Sequence, residues 1–333
     1  MWLRALFLCL WGAAAPAAEL RVAVYNAELD REGPGLLLRD ILRGAEDVAA
    51  AAALIARVSP DILLLTRFDY DLDLAALSAF NDRLGPARYP HLFALRPNTG
   101  RATGLDLDRD GRLGEPEDAQ GFGRFAGQNG MAILSRHPFG PARDFSALLW
   151  RDLPGARLPM AGAGPFWGAE VLDHLRLSTT GHWDVPVGIG DRVLHLLAFH
   201  ASPPVFDGPE DRNGLRAAEE LRFWRLYLDG AFGPPPPVFV LLGTANIDPG
   251  KGDGRRAEMR ALLEDPRLQD PAPADGTGGT DTADFGAAPG RLRTDYLLPA
   301  AGISVQAAGL AWPEAAEGGR HALVWADLRL PPP

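Results

Sequence analysis

Ile62-Leu63-Leu64-Leu65 and Val238-Phe239-Val240-Leu241-Leu242 are unbroken runs of large apolar residues. A strand with one wet face alternates apolar and polar side chains, so an unbroken run of this length belongs to a strand covered on both faces. Sheets that contain such strands need a further layer on each side, which points to a layered sandwich.

The surrounding pattern supplies those layers. Leu20 to Tyr25 is a short strand ending at Asn26, and Ala45 to Val58 reads as an Ala-rich helix stopped by Ser59-Pro60. Leu74 to Leu84 reads as a second helix. His91 to Leu95, Met131 to Ser135 and Val193 to His200 read as strands. Asp211 to Leu228 places Leu215, Leu221, Trp224 and Leu228 on a helical period, and Thr294 to Leu298 and Leu323 to Leu328 are the last strands. Strands and helices alternate at first, then strands dominate. Many strands with a few covering helices fit two packed sheets with helices outside. No composition break marks a linker after residue 18, so residues 19–333 are expected to form one domain.

The start of the chain has a different character. Arg4, an apolar run from Ala5 to Trp11 and the small residues Ala15-Pro16-Ala17 have the order of a secretory signal peptide over residues 1–18. Export to the periplasm or beyond is therefore expected. The single cysteine, Cys9, lies inside that segment, so the mature chain would carry no disulfide. No later stretch is long and apolar enough for a membrane-spanning helix. The net charge of −10 disfavours broad binding of nucleic acid, and no strong basic patch is visible. Lys251 is the only lysine, so nearly all positive charge is arginine, the better partner for bidentate phosphate contacts.

Several segments carry a resemblance when taken in order. They are Val24-Tyr25-Asn26, Pro60-Asp61-Ile62-Leu63-Leu64-Leu65, Gly130-Met131-Ala132-Ile133-Leu134-Ser135-Arg136 and Leu196 to His200. They continue with Gly243-Thr244-Ala245-Asn246, Arg293-Thr294-Asp295-Tyr296-Leu297-Leu298 and Arg320-His321. In this order and at these spacings the chain resembles the endonuclease/exonuclease/phosphatase superfamily, and its Pro203 to Asn213 stretch resembles a secreted bacterial subgroup. The resemblance implies an α+β fold, a four-layered α/β/β/α sandwich with two central, mostly antiparallel sheets. It also implies phosphoester hydrolysis, usually with Mg²⁺, in which an activated water attacks phosphorus while the metal offsets charge on the oxygens.

Residue by residue, the resemblance places Asn26, His200, Asn246, Asp295 and His321 in the catalytic set, with Asp295 paired to His321. It also exposes three departures. The Glu metal ligand expected after the second strand is Arg67, the Asp of the Gly-Asp-x-Asn motif is Thr244, and the Asp of the closing Ser-Asp-His motif is Arg320. Mg²⁺ takes oxygen ligands, mostly carboxylates. Removing three carboxylates and adding two guanidiniums changes the local charge by about five units, and like charges at ~4 Å repel by ~4 kcal/mol at an effective dielectric near ~20. Mg²⁺ is therefore not expected at this cleft. A displaced alignment in which Asp69 or Asp71 serves as the missing ligand remains an alternative.

A second constellation lies apart from these motifs. Asp106-Leu107-Asp108-Arg109-Asp110-Gly111 through Glu117 fits the spacing of a calcium loop, with Asp106, Asp108, Asp110, the Arg112 carbonyl and Glu117 as ligands of a structural Ca²⁺. Its flanks do not read as helices, and an acidic solvated loop is the alternative. His182-Trp183-Asp184 either lines the cleft or is a packed turn.

Two classes of function follow. One is an active secreted metal-dependent phosphodiesterase or phosphatase that uses displaced ligands. The other is a weakly active or inactive member, expected as a monomer, that binds a phosphate-bearing small molecule or phosphoester through Arg67 and Arg320.

Overall fold

The computed structural model describes residues 19–314 and 318–332. The expected signal peptide lies outside the described residues. Eleven strands form two main sheets. The first sheet is built from β1 (Glu19–Leu29), β2 (Ile62–Phe68), β3 (His91–Phe93), β4 (Gly130–Ser135), β10 (Ser304–Ala311) and β11 (Leu323–Arg329), in the order β10-β11-β1-β2-β4-β3. The second holds β5 (Arg143–Asp144), β6 (Gly181–Ile189), β7 (Arg192–His200), β8 (Phe239–Thr244) and β9 (Asp295–Pro299), in the order β9-β8-β7-β6-β5.

Both sheets are mostly antiparallel, and each has one parallel pair: β1 with β2, and β7 with β8. A parallel neighbour needs a crossover, and helices supply it. Helices α1 (Leu36–Arg43) and α2 (Glu46–Val58) connect β1 to β2, and α4 (Arg212–Leu228) connects β7 to β8. Helices α3 (Ala75–Arg83) and α5 (Arg256–Leu263) complete the outer layers.

Side-chain alternation sorts the layers. On β1, Val22 and Val24 enter the core shared with the second sheet, whereas Ala23 and Tyr25 pack under Leu37, Ile41, Val48 and Ile55 of the helices. On β2, Ile62 and Leu64 face one way, Leu63 and Leu65 the other, and all four are fully buried. That accounts for the unbroken apolar run. Trp183, Leu196 and Leu241 of the second sheet pack in the same core as Leu221 and Trp224 of α4 and Met259 of α5. Helices, sheet, sheet and helices thus form the expected four-layered α+β sandwich. No helix among the described residues is long and apolar enough to cross a membrane.

Candidate phosphate-binding cleft

The cleft opens where the strands of both sheets end. In the second sheet, pairing register sets His200, Thr244 and Asp295 side by side at the ends of β7, β8 and β9. In the first, Asn26 of β1 lies opposite Thr66 of β2. Regular pairing breaks beyond that point, and the two residues at the break, Glu28 and Arg67, take left-handed φ values of 49° and 52°. A non-glycine residue in that region is held there by its surroundings at some cost, and such positions cluster at functional sites.

The result is a cleft of about 1100 Å³. Asn26, Arg67, His200, Asn246, Arg320 and His321 all line it, so six of the eight motif residues converge. Thr244 and Asp295 form the wall behind. Thr244 donates to Asp295 Oδ1 at 2.6 Å, and His321 Nδ1 meets Asp295 Oδ2 at 2.8 Å. Burial alone would raise the Asp295 carboxyl, but the charge and hydrogen bond of His321, with the hydroxyls of Thr244 and Thr294, hold it below the usual carboxylate range. Burial drives the His200 imidazole down to about 3, with the nearby Arg67 charge adding to the effect, so it is neutral at ordinary pH.

Three side-chain atoms of lining residues are buried with neither a hydrogen bond nor an ion pair, Asn26 Oδ1, Asn129 Oδ1 and His200 Nδ1. Asn246 is fixed instead, donating through Nδ2 to the Ala201 carbonyl at 2.8 Å.

Glu28 was not visible as a site residue from sequence, although its place two residues after Asn26 on one strand puts both near the same face. Its Oε1 accepts from Arg67 Nη1 at 2.8 Å and Arg320 Nε at 3.0 Å, and its Oε2 accepts the Arg320 backbone N–H at 2.6 Å. The other Arg67 terminal nitrogen pairs with Asp30 at 2.6 Å. Phe285 packs over the Arg320 guanidinium and edge-on to His321. Burial would raise the Glu28 carboxyl, yet the Arg320 hydrogen bonds and the charges of His321 and Arg67 bring it down to about 2.

Glu28 and Asp295 are not free to hold a divalent cation. Both Glu28 oxygens are held by arginine, and both Asp295 oxygens are engaged behind Thr244. Neither Asp69 nor Asp71 lines the cleft. Asp69 lies outside the cleft, beside a small separate cavity, and accepts the backbone N–H groups of Arg31 and Asn129; burial pushes it up to about 7. Asp71 caps α3 by accepting from the backbone of Ala75 and Ala76.

The acidic loop differs from the expected ligand set. Asp106, Asp108 and Asp118 bring carboxylate oxygens within 4.8 Å of one another, whereas Asp110 and Glu117 are not in that group. A 3₁₀ turn at Pro116–Asp118 rotates the next acid inward, where the Asp118 carboxylate accepts from the backbone of Leu107 and Gly114. His182 takes the packed alternative, in a strand rather than a turn. It lies within β6, stacked on Trp224, with Nε2 near the Glu220 carbonyl at 3.1 Å, and it does not line the cleft.

With two packed sheets, a cleft at their strand ends and a buried Asp–His pair, the architecture is that of a phosphoesterase scaffold. The Endonuclease/Exonuclease/phosphatase family profile matches residues 23–319, and the chain belongs to this family. Among solved structures it is similar to an endonuclease/exonuclease/phosphatase from Beutenbergia cavernae, at 19% identity over 94% of this chain and 72% of that one, with a TM-score of 0.57. It is also similar to sphingomyelinase C from Streptomyces griseocarneus, at 18% identity over 93% of this chain and 99% of that one, with a TM-score of 0.55. A family protein from Bacteroides thetaiotaomicron aligns at 12% identity over 95% and 100% of the two chains, with a TM-score of 0.56. At these identities the likeness shows the fold. No curated protein matches the sequence.

Proposed function

We propose that this family member binds a phosphate-bearing small molecule or phosphoester in its cleft without a divalent metal, and that its hydrolytic turnover is weak or lost. One observation carries the reading: Arg67 and Arg320, which stand where the resemblance places ligand acids, converge on Glu28 in the cleft and occupy both of its oxygens, so that carboxylate is not free for Mg²⁺. Guanidinium presents planar paired donors to phosphate oxygens, so two of them can hold an anion that a metal would otherwise bridge. Calorimetric titration with inorganic phosphate in the presence of chelator tests this. Wild type should bind, and Arg67→Glu/Arg320→Asp should not. Absence of binding to wild type would defeat the reading.

The intact Asp295–His321 pair favours a second reading, an active phosphodiesterase or phosphatase of the kind the family resemblance implies. Hydrolysis of a phosphoester that rises with Mg²⁺ and stops on chelation would establish it. In either case the protein is proposed to be exported and monomeric. Its acidic loop is proposed to hold a structural Ca²⁺ through Asp106, Asp108 and Asp118, whose grouped oxygens suit a hard cation.

A further inference from the structure

We propose that Glu28 is the cleft's resident anion: its carboxylate occupies the arginine donors that a phosphoryl group would use, so an incoming anion binds in competition with it. The inference rests on the reading that the cleft takes phosphate. Oε1 of Glu28 sits among Arg67 Nη1 and Arg320 Nε and Nη2, an environment of convergent N–H donors that matches what a phosphate oxygen requires. Oε2 takes the Arg320 backbone N–H as well.

The chain is shaped to bring Glu28 there. β1 leaves its register with β2 after Asn26, and Glu28 adopts φ 49° at that break. Gly319, with φ 88°, clears the approach, because a Cβ on it would lie 2.9 Å from Glu28 Oε2. A side chain at 319 would thus press on the end of the Glu28 side chain.

Charge counting gives the consequence. Arg67 and Arg320 face Glu28 and Asp30, two guanidiniums against two carboxylates, so the cluster has no net attraction for an anion while both acids stay paired. The cleft holds about 1100 Å³, far more space than the Glu28 carboxylate fills. An external phosphate therefore has room beside the arginines but must take donors from Glu28. The Glu28 carboxyl is held near 2, so mild acid does not release them.

The variant Glu28→Gln keeps the shape and removes the charge. Titration with inorganic phosphate in chelator should show at least about tenfold tighter binding by Glu28→Gln than by wild type, because one repulsive charge near the anion is gone. Equal or weaker binding by the variant, with wild type still binding, would mean that Glu28 only orders the arginines and would overturn the inference alone. Binding by neither protein would overturn both the inference and the reading beneath it. Wild type supplies a second measurement that does not depend on the variant folding. On phosphate saturation, the ¹⁵N–¹H signal of Arg320 Nε should shift as its bond to Glu28 is exchanged, and an unmoved signal would also overturn the inference.

Discussion

The hydroxyls of Thr66 and Thr244 meet at 2.9 Å across the interface between the two sheets. Thr244 donates its own proton to Asp295 Oδ1 at 2.6 Å, so Thr66 is the donor in this contact. A relay of hydroxyls thus runs from β2 of one sheet through β8 of the other to the carboxylate that holds His321. All three residues are fully buried, so each bond lacks a water substitute.

Replacing Thr244 by Val keeps its shape and breaks both bonds, orphaning one oxygen of Asp295. The expected loss of stability is about 2 kcal/mol, since a buried acceptor left unpaired costs ~1–3 kcal/mol. Thr244→Asp should cost more, as it sets a second carboxylate against Asp295. Urea unfolding of the three proteins reads this, and an unchanged midpoint for Thr244→Val would remove the relay from the account.

His200 should stay neutral well below the usual histidine range. Its ordinary value of 6.5 is brought down to about 3, so the unfolded chain takes up a proton that the folded chain refuses. The contribution of the neutral imidazole is therefore present above about 6.5 and is lost as pH falls towards about 3. NMR of the His200 ring should show no titration between about pH 7.5 and about pH 5. A midpoint between about 6 and 7 would mean that the ring is solvated or faces an anion.

The acidic loop makes a prediction that separates neighbouring residues. With roughly millimolar Ca²⁺, thermal melting of wild type should shift upward relative to chelator, because a ligand of the folded state stabilises it by mass action. Asp106→Ala and Asp118→Asn should abolish the shift, and Glu117→Ala should retain it, since Glu117 stands outside the carboxylate group. Loss of the shift in Glu117→Ala would restore the ligand set expected from spacing.

That last contrast shows what sequence could and could not reveal. β2 and β8 were legible because both faces are covered, and α4 because Leu215, Leu221, Trp224 and Leu228 keep a helical period. β6 was not, since His182, Asp184 and Pro186 interrupt its pattern. The buried Asp184 carboxylate is satisfied from other elements, by His195 Nδ1 at 2.6 Å and the Tyr227 hydroxyl at 2.6 Å. The short helix α1, eight residues between Gly35 and Gly44, also escaped the pattern. Within the site, Arg67, Thr244 and Arg320 stood out because motifs fix their positions. Glu28 did not, because its role depends on a bulge and on Arg320, a residue 292 positions away. Glu117 was preferred to Asp118 because spacing does not register a 3₁₀ turn.

That an arginine–carboxylate cluster stands where the family resemblance places a metal is tested most directly with paramagnetic Mn²⁺, which would occupy a Mg²⁺ site. Ring signals of His200 and His321 are the reporters, since both line the cleft. With Arg67 and Arg320 paired to Glu28, roughly millimolar Mn²⁺ should leave both signals sharp, while Arg67→Glu/Thr244→Asp/Arg320→Asp, which returns the ligand acids, should show both broadened. Selective broadening of His200 and His321 in the wild-type protein would contradict the proposed metal-free cleft.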